Sequence, residues 1–119
     1  MTSVGVDIVE IARVGSAVNR GGEHFLRRVY TETELSTCGD RLSSLASRFA
    51  AKEAVMKALG TGGIGIPWRE IEILTGDDGR PLVRLHGRAL DKATKLNLKE
   101  VSISLSDSKE YAVAVAIGA

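Results

Sequence analysis

Only one cysteine, Cys38, occurs in the chain. It has no partner for an internal disulfide and no ligand-spaced neighbour, which excludes a disulfide scaffold and a zinc finger and points to a reducing compartment, the cytosol. Net charge is nearly absent as well. Sixteen Lys and Arg stand against fifteen Asp and Glu, leaving +1, too little for a general nucleic-acid binder held by phosphate neutralisation. No stretch approaches the ~18 apolar residues of a membrane-spanning helix, and the opening MTSVGVDIVEIAR carries acids inside its apolar run, unlike a secretory signal. Low-complexity segments are missing too. What is there is ordinary: 44% apolar and 26% charged residues over 119 positions fit one folded domain spanning 1–119.

The hydrophobic pattern sets out the elements. Ser3 to Ile11, SVGVDIVEI, is β-branched and reads as a buried strand, apolar on both faces, with Asp7 on the side shared by Gly5, Val9 and Ile11. Residues 12–38 read as short helices broken at Gly21 and Gly22. Residues 42–59, LSSLASRFAAKEAVMKAL, form the strongest helix, closed by Gly60 in the position of a C-terminal cap. IEIL at 71–74 and residues 82–85 flank a Gly76-Asp77-Asp78-Gly79 turn and read as a hairpin; residues 88–97 carry helical spacing. A closing hairpin follows, VSISLS and YAVAVAI around residues 107–110. In its second strand Ala112, Ala114 and Ala116 share the face on which a helix can approach closely, and the long helix is the candidate. The order predicts an α+β domain with a mostly antiparallel sheet and helices on one face.

Two acids stand among hydrophobes. Glu53 falls four residues after Phe49 and three before Met56, on or beside the buried stripe of the long helix, and Asp7 sits mid-strand. If that helix crosses the sheet, the two carboxylates meet. They then suit a hard divalent cation such as Mg²⁺, which takes one or two protein carboxylates and completes its octahedron with water and phosphate. The alternative is that Asp7 caps a neighbouring backbone and Glu53 pairs with Lys57 at i, i+4, worth a few tenths of a kcal/mol. Arg48 and Lys52 are also four apart; they either share a bound anion or line a solvated face. GTGGIG follows a helix, so it is no dinucleotide fingerprint. His24 and His86 read as isolated. Arg13, Arg20, Arg27 and Arg28, with only Glu23 among them, make a locally basic surface that a noncatalytic module docking an acidic helical partner would also use.

Three ordered blocks, GVDIVEI, RFAAKEAVMKALGTG and SISLSDSKEYAVA, carry a resemblance that spans nearly the whole chain. The sequence resembles the holo-acyl-carrier-protein synthases, small bacterial 4′-phosphopantetheinyl transferases. The resemblance implies their α+β fold and transfer of the phosphopantetheine arm of coenzyme A to a serine of an apo acyl carrier protein for fatty acid biosynthesis, with release of adenosine 3′,5′-bisphosphate. It implies Mg²⁺ held by Asp7 and Glu53, and Lys57 near the diphosphate. Arg48 and Lys52 would meet anionic groups of coenzyme A, and Gly60, Thr61 and Gly62 would line its path. For the proton of the attacking serine it leaves two candidate acceptors, a metal-bound water and Glu53 acting through water. A homotrimer with sites at subunit boundaries is also implied, with Arg41 a possible cross-subunit contributor.

The helix after the first strand would dock the acidic carrier through Arg13 and Arg20, with Arg27 and Arg28 just beyond, while Gly21 and Gly22 fall where relatives often add cations. One departure stands out. Many members read Ser-His-Ser or Ser-His-Thr in the last turn, whereas this chain has Ser106-Asp107-Ser108, so a coenzyme A contact from that histidine is either lost here or replaced by Ser106, Ser108 or Lys109.

Overall fold

The structure, a computed structural model, describes residues 2–60 and 65–119. Strand β1 (Ser3–Glu10) pairs antiparallel with β5 (Tyr111–Gly118), which pairs antiparallel with β4 (Val101–Asp107), giving the order β1-β5-β4. The expected single sheet is two: β2 (Ile71–Thr75) and β3 (Pro81–Leu85) form a separate hairpin. Its turn closes by Gly76 N–H donating to the Arg80 carbonyl at 2.8 Å, with Gly79 at φ +85°.

Strand β1 runs directly into helix α1 (Ile11–Val29), so Ile11 opens that helix instead of extending the strand face. Gly22, at φ 53° and ψ −137°, bends α1; the break expected from the Gly pair is a kink between two helical segments. Helix α2 (Glu32–Cys38) starts at a capping box in which Thr31 and Glu34 satisfy each other's backbone N–H. Helix α3 (Leu42–Ala58) ends in a left-handed Gly60 at φ +74°, the conformation a C-terminal glycine accepts without steric cost. A 3-10 turn at Trp68–Glu70 precedes β2, and helix α4 (Gly87–Lys95) follows β3.

Small residues let α3 lie close on the sheet. Ala114 and Ala116 of β5 are buried with Ala50, Ala51, Ala54 and Ala58 of α3, Ala112 with Leu45 and Ala46 at its start, and opposite Ala116, Ala114 and Ala112 β1 offers Gly5, Asp7 and Val9. At Gly5 the approach is so close that a Cβ there would stand 1.9 Å from the Ala54 carbonyl oxygen. A second cluster, with Ile11, Val14, Val29, Tyr30, Leu45 and Ala46, packs α1 against the start of α3.

The opposite face of the sheet departs from expectation. Val4, Val6 and Ile8 are 61%, 54% and 63% exposed. Register places them beside Ile117, Val115 and Val113 of β5. A strand read as buried on both sides is therefore covered on one side only within a single chain.

Candidate active site

The site forms where α3 crosses β1. Asp7 lies in one row with Ala114 and Leu105 across the sheet, and the small side chains around it bring α3 close enough for its polar residues to reach that row. The Lys57 ammonium donates to Asp7 Oδ1 at 3.1 Å and to the Val6 carbonyl at 3.0 Å. Glu53, one turn earlier, is half-buried on the same side. Burial, followed by the charge of Asp7, pushes its pKa above the usual carboxylate range, with Lys57 opposing. Among the described residues its carboxylate accepts no hydrogen bond and forms no ion pair, so Lys57 pairs with Asp7 and not with its i−4 neighbour.

Two mutually repelling carboxylates, one without a hydrogen-bond or ion-pair partner among the described residues, constitute a donor set suited to a hard cation. Asp7 and Glu53 would supply two oxygens. The described residues hold no cluster of three or more His, Cys, Asp or Glu, which leaves the other positions to water and substrate oxygens, the division Mg²⁺ commonly uses.

Around this centre the predicted residues sort differently. Arg48 donates through Nη2 to Thr75 Oγ1 at 3.0 Å and lines an open recess of about 490 Å³ together with Gly79, Arg80, Pro81, Ser104 and Leu105. Its Nε is buried without a hydrogen-bond partner among the described residues. Lys52 requires correction. Its side chain is 0% exposed, and its ammonium is taken up by Glu34 Oε1 at 2.8 Å and the carbonyls of Ile71 at 2.6 Å and Trp68 at 3.2 Å. Neither a shared anion site with Arg48 nor a solvated face describes it. An i, i+4 pair of cations lies near one helix face, and α2, the 3-10 turn and β2 pack over the second of them. Lys52 is no coenzyme A ligand.

Gly60 is exposed beyond the end of α3, while Thr61 and Gly62 lie outside the described residues. Ser106, Asp107 and Ser108 are exposed at the end of β4; register puts Asp107 on the α3 side and Ser106 on the open face. On α1, Arg13 and Arg20 border a surface recess with Ser16 and Asn19. Arg27 is tied to Glu23 at 2.9 Å and Glu32 at 2.7 Å, so the free basic set is smaller than the sequence implied. Arg41 donates to the Thr37 carbonyl at 2.6 Å.

Sequence reading missed three features: Arg80 beside Arg48, the Glu34 carboxylate under Lys52, and His86, whose Nε2 lies 3.0 Å from Glu72 Oε1. The pattern Thr31-x-x-Glu34 was a legible capping signal; nothing local marked its glutamate as the counter-ion of Lys52.

A family model described as the 4′-phosphopantetheinyl transferase superfamily matches residues 3–116. The chain belongs to this superfamily. A holo-acyl-carrier-protein synthase of Herpetosiphon aurantiacus is 49% identical, with 99% of this chain and 98% of the relative covered. One of Dehalococcoides mccartyi is 50% identical, with 98% of each covered. The solved holo-acyl-carrier-protein synthase of Helicobacter pylori in complex with coenzyme A superposes with a TM-score of 0.88 at 35% identity, covering 98% of this chain and 99% of that one. The Neisseria meningitidis enzyme gives 0.88 at 34% identity, covering 98% and 97%. The α+β architecture is thus that of the superfamily. No described helix is long and apolar enough to cross a membrane.

Proposed function

We infer that the chain transfers the 4′-phosphopantetheine arm of coenzyme A to a serine hydroxyl of an apo acyl carrier protein, releasing adenosine 3′,5′-bisphosphate. The observation that carries the reading is the convergence of Asp7, Glu53 and Lys57 at the α3–β1 crossing in a chain whose length matches holo-acyl-carrier-protein synthases almost end to end.

Asp7 and Glu53 would hold Mg²⁺, and the chemistry it would supply there is neutralisation of diphosphate charge. Lys57, half-exposed beside Asp7, places a second positive charge where the leaving phosphate develops negative charge. Arg48 and Arg80, on the walls of the recess, face the anionic groups of the nucleotide, and Gly60 lines its path. Ser106, Asp107 and Ser108 take the place of the family's histidine turn. The carrier docks on α1 through Arg13 and Arg20, with Arg28 beyond; Arg27 contributes less because Glu23 and Glu32 already compensate it. The contribution of these parts is mainly positional and electrostatic.

The bare face of Val4, Val6, Ile8, Val115 and Ile117 supports association with further copies of the chain, and the reading adopted is a homotrimer in the cytosol, where the lone thiol Cys38 stays reduced. That thiol is buried, and burial pushes its pKa up, which leaves it unreactive.

The test is mass spectrometry of an apo carrier protein incubated with the chain, coenzyme A and Mg²⁺. One phosphopantetheine is added by the wild type, and Asp7→Asn or Glu53→Gln, each folded, largely abolishes the addition. Near-normal turnover by either folded variant at ordinary Mg²⁺ overturns the assignment of the two carboxylates. No addition by the wild type overturns the function.

A further inference from the structure

The Lys52–Glu34 pair has no part in the chemistry above, yet it is the most completely buried charge pair in the described structure, with both side chains at 0% exposure. Its satisfaction is complete. Three ammonium donors meet three acceptors drawn from α2, the 3-10 turn and β2. Glu34 in turn accepts from Thr31 N–H through Oε1 at 2.8 Å and from Ile73 N–H through Oε2 at 2.8 Å. The ring of Tyr30 lies 5.8 Å from the ammonium. Such a pair is expensive to desolvate, and one well-packed apolar replacement of similar volume is often no less stable. Burial indeed lowers the Lys52 pKa despite Glu34. A gain in stability therefore does not account for it.

Its place on α3 does. Successive residues of an α-helix turn by about 100°, so Glu53 lies between Lys52 on one side and Lys57, about 40° further round, on the other. Lys52 anchors the helix to α2 and β2; Lys57 anchors it to β1. A carboxylate roughly 5.5 Å from the helix axis moves by about 1 Å when the helix rotates by 10°, and a misplacement of that size is enough to cost about two orders of magnitude in rate.

We propose that Lys52 and Glu34 are positioning residues that lock the rotation of α3 and so set the separation of the Glu53 and Asp7 carboxylates. The inference rests on the transferase reading through the role of Glu53. It predicts that neutralising the pair damages turnover and cation binding more than it damages the fold.

The experiment compares wild type, Lys52→Met/Glu34→Gln, Glu34→Asp and Glu53→Gln. Each is measured for thermal unfolding, for kcat and KM with apo carrier protein, and for Mg²⁺ affinity by calorimetry in the presence of coenzyme A. In the double variant, which keeps the volume and leaves an amide to accept from Ile73, kcat falls about tenfold or more. The Mg²⁺ dissociation constant rises several-fold, and KM for the carrier, which is set on α1, stays within about twofold. Glu34→Asp retains both charges with a shorter reach and shows a smaller loss in the same direction; it decides the matter if the double variant does not fold. A folded double variant, or failing that a folded Glu34→Asp, with wild-type kcat and Mg²⁺ affinity overturns the proposal. In the same series an inactive Glu53→Gln beside such a variant leaves the role of Glu53 standing and removes only the positioning role of the pair; a fully active Glu53→Gln removes the role of Glu53 and with it this proposal, while the transferase reading falls only if the wild type adds no phosphopantetheine.

Discussion

Gly5→Ala tests the closeness of helix to sheet on which the site depends. The added Cβ would stand 1.9 Å from the Ala54 carbonyl oxygen and 2.7 Å from the Ala58 nitrogen. Both atoms belong to backbone, so no side chain can swing aside. Bringing the nearer contact out to 3.0 Å, the limit that real Cβ atoms respect, separates β1 from α3 by about 1.1 Å, an overpacking change that costs roughly 1–3 kcal/mol. Glu53 immediately precedes Ala54, and Asp7 is the next residue of β1 on the same face as Gly5. The displacement is therefore delivered to the two carboxylates and the Lys57–Asp7 contact.

A loss of 1–3 kcal/mol leaves a domain of ordinary stability, about 5–15 kcal/mol, still folded at room temperature. Reduced turnover then reports geometry and not unfolding. The expected outcome is a lower urea midpoint together with a kcat reduced by about two orders of magnitude, while KM for the carrier changes little if it docks on α1 as proposed. A folded Gly5→Ala protein with the wild-type urea midpoint and kcat would refute the argument that this glycine sets the helix-to-sheet distance.

Other outcomes follow from the surface and from the Glu72 contacts. Ile8→Lys places a charge on the bare apolar face at its most exposed residue; light scattering should find a homotrimer for wild type and a smaller species for the variant, and an unchanged mass would remove this face from the interface. Reversing Arg13 and Arg20 to Glu should raise KM for the acidic carrier and flatten its salt dependence with kcat nearly unchanged; an unaltered KM places docking off α1. Burial alone would raise the Glu72 pKa, but the Thr31 hydroxyl at 2.6 Å and His86 at 3.0 Å outweigh it and hold the carboxyl below its ordinary 4.5. A carboxylate with a depressed folded pKa stabilises the fold above its unfolded value and loses that contribution as pH falls. Glu72→Gln should therefore cost about 1–3 kcal/mol at pH 7, and the gap to wild type should narrow below about pH 4; a gap constant from pH 7 to pH 3 would refute the assignment.

How much of this was legible depended on whether the deciding interaction lay along one element or between several. The closeness of α3 to the sheet could be read from Ala112, Ala114 and Ala116, because alternation assigns faces without knowledge of the partner. For Asp7 and Glu53 the same alternation gave only a condition, that they meet if the long helix crosses the sheet; that helix does cross β1, with Lys57 at 3.1 Å from Asp7. The burial of Lys52 was not legible, because it is imposed by three segments, residues 31–34, 68 and 71, remote in sequence and covering the helix from outside. Helical periodicity measures the mean polarity of a face and registers a lysine as polar whether its partner is water or Glu34. The outer face of β1 failed for the complementary reason. Val4, Val6 and Ile8 were read as buried from composition, and a single chain leaves them bare; a residue pattern that implies burial specifies that a cover is needed, not that the same chain supplies it. The two errors have one origin. Sequence periodicity records what each position requires of its surroundings, and in both cases the surroundings are settled by a partner that the periodicity does not contain.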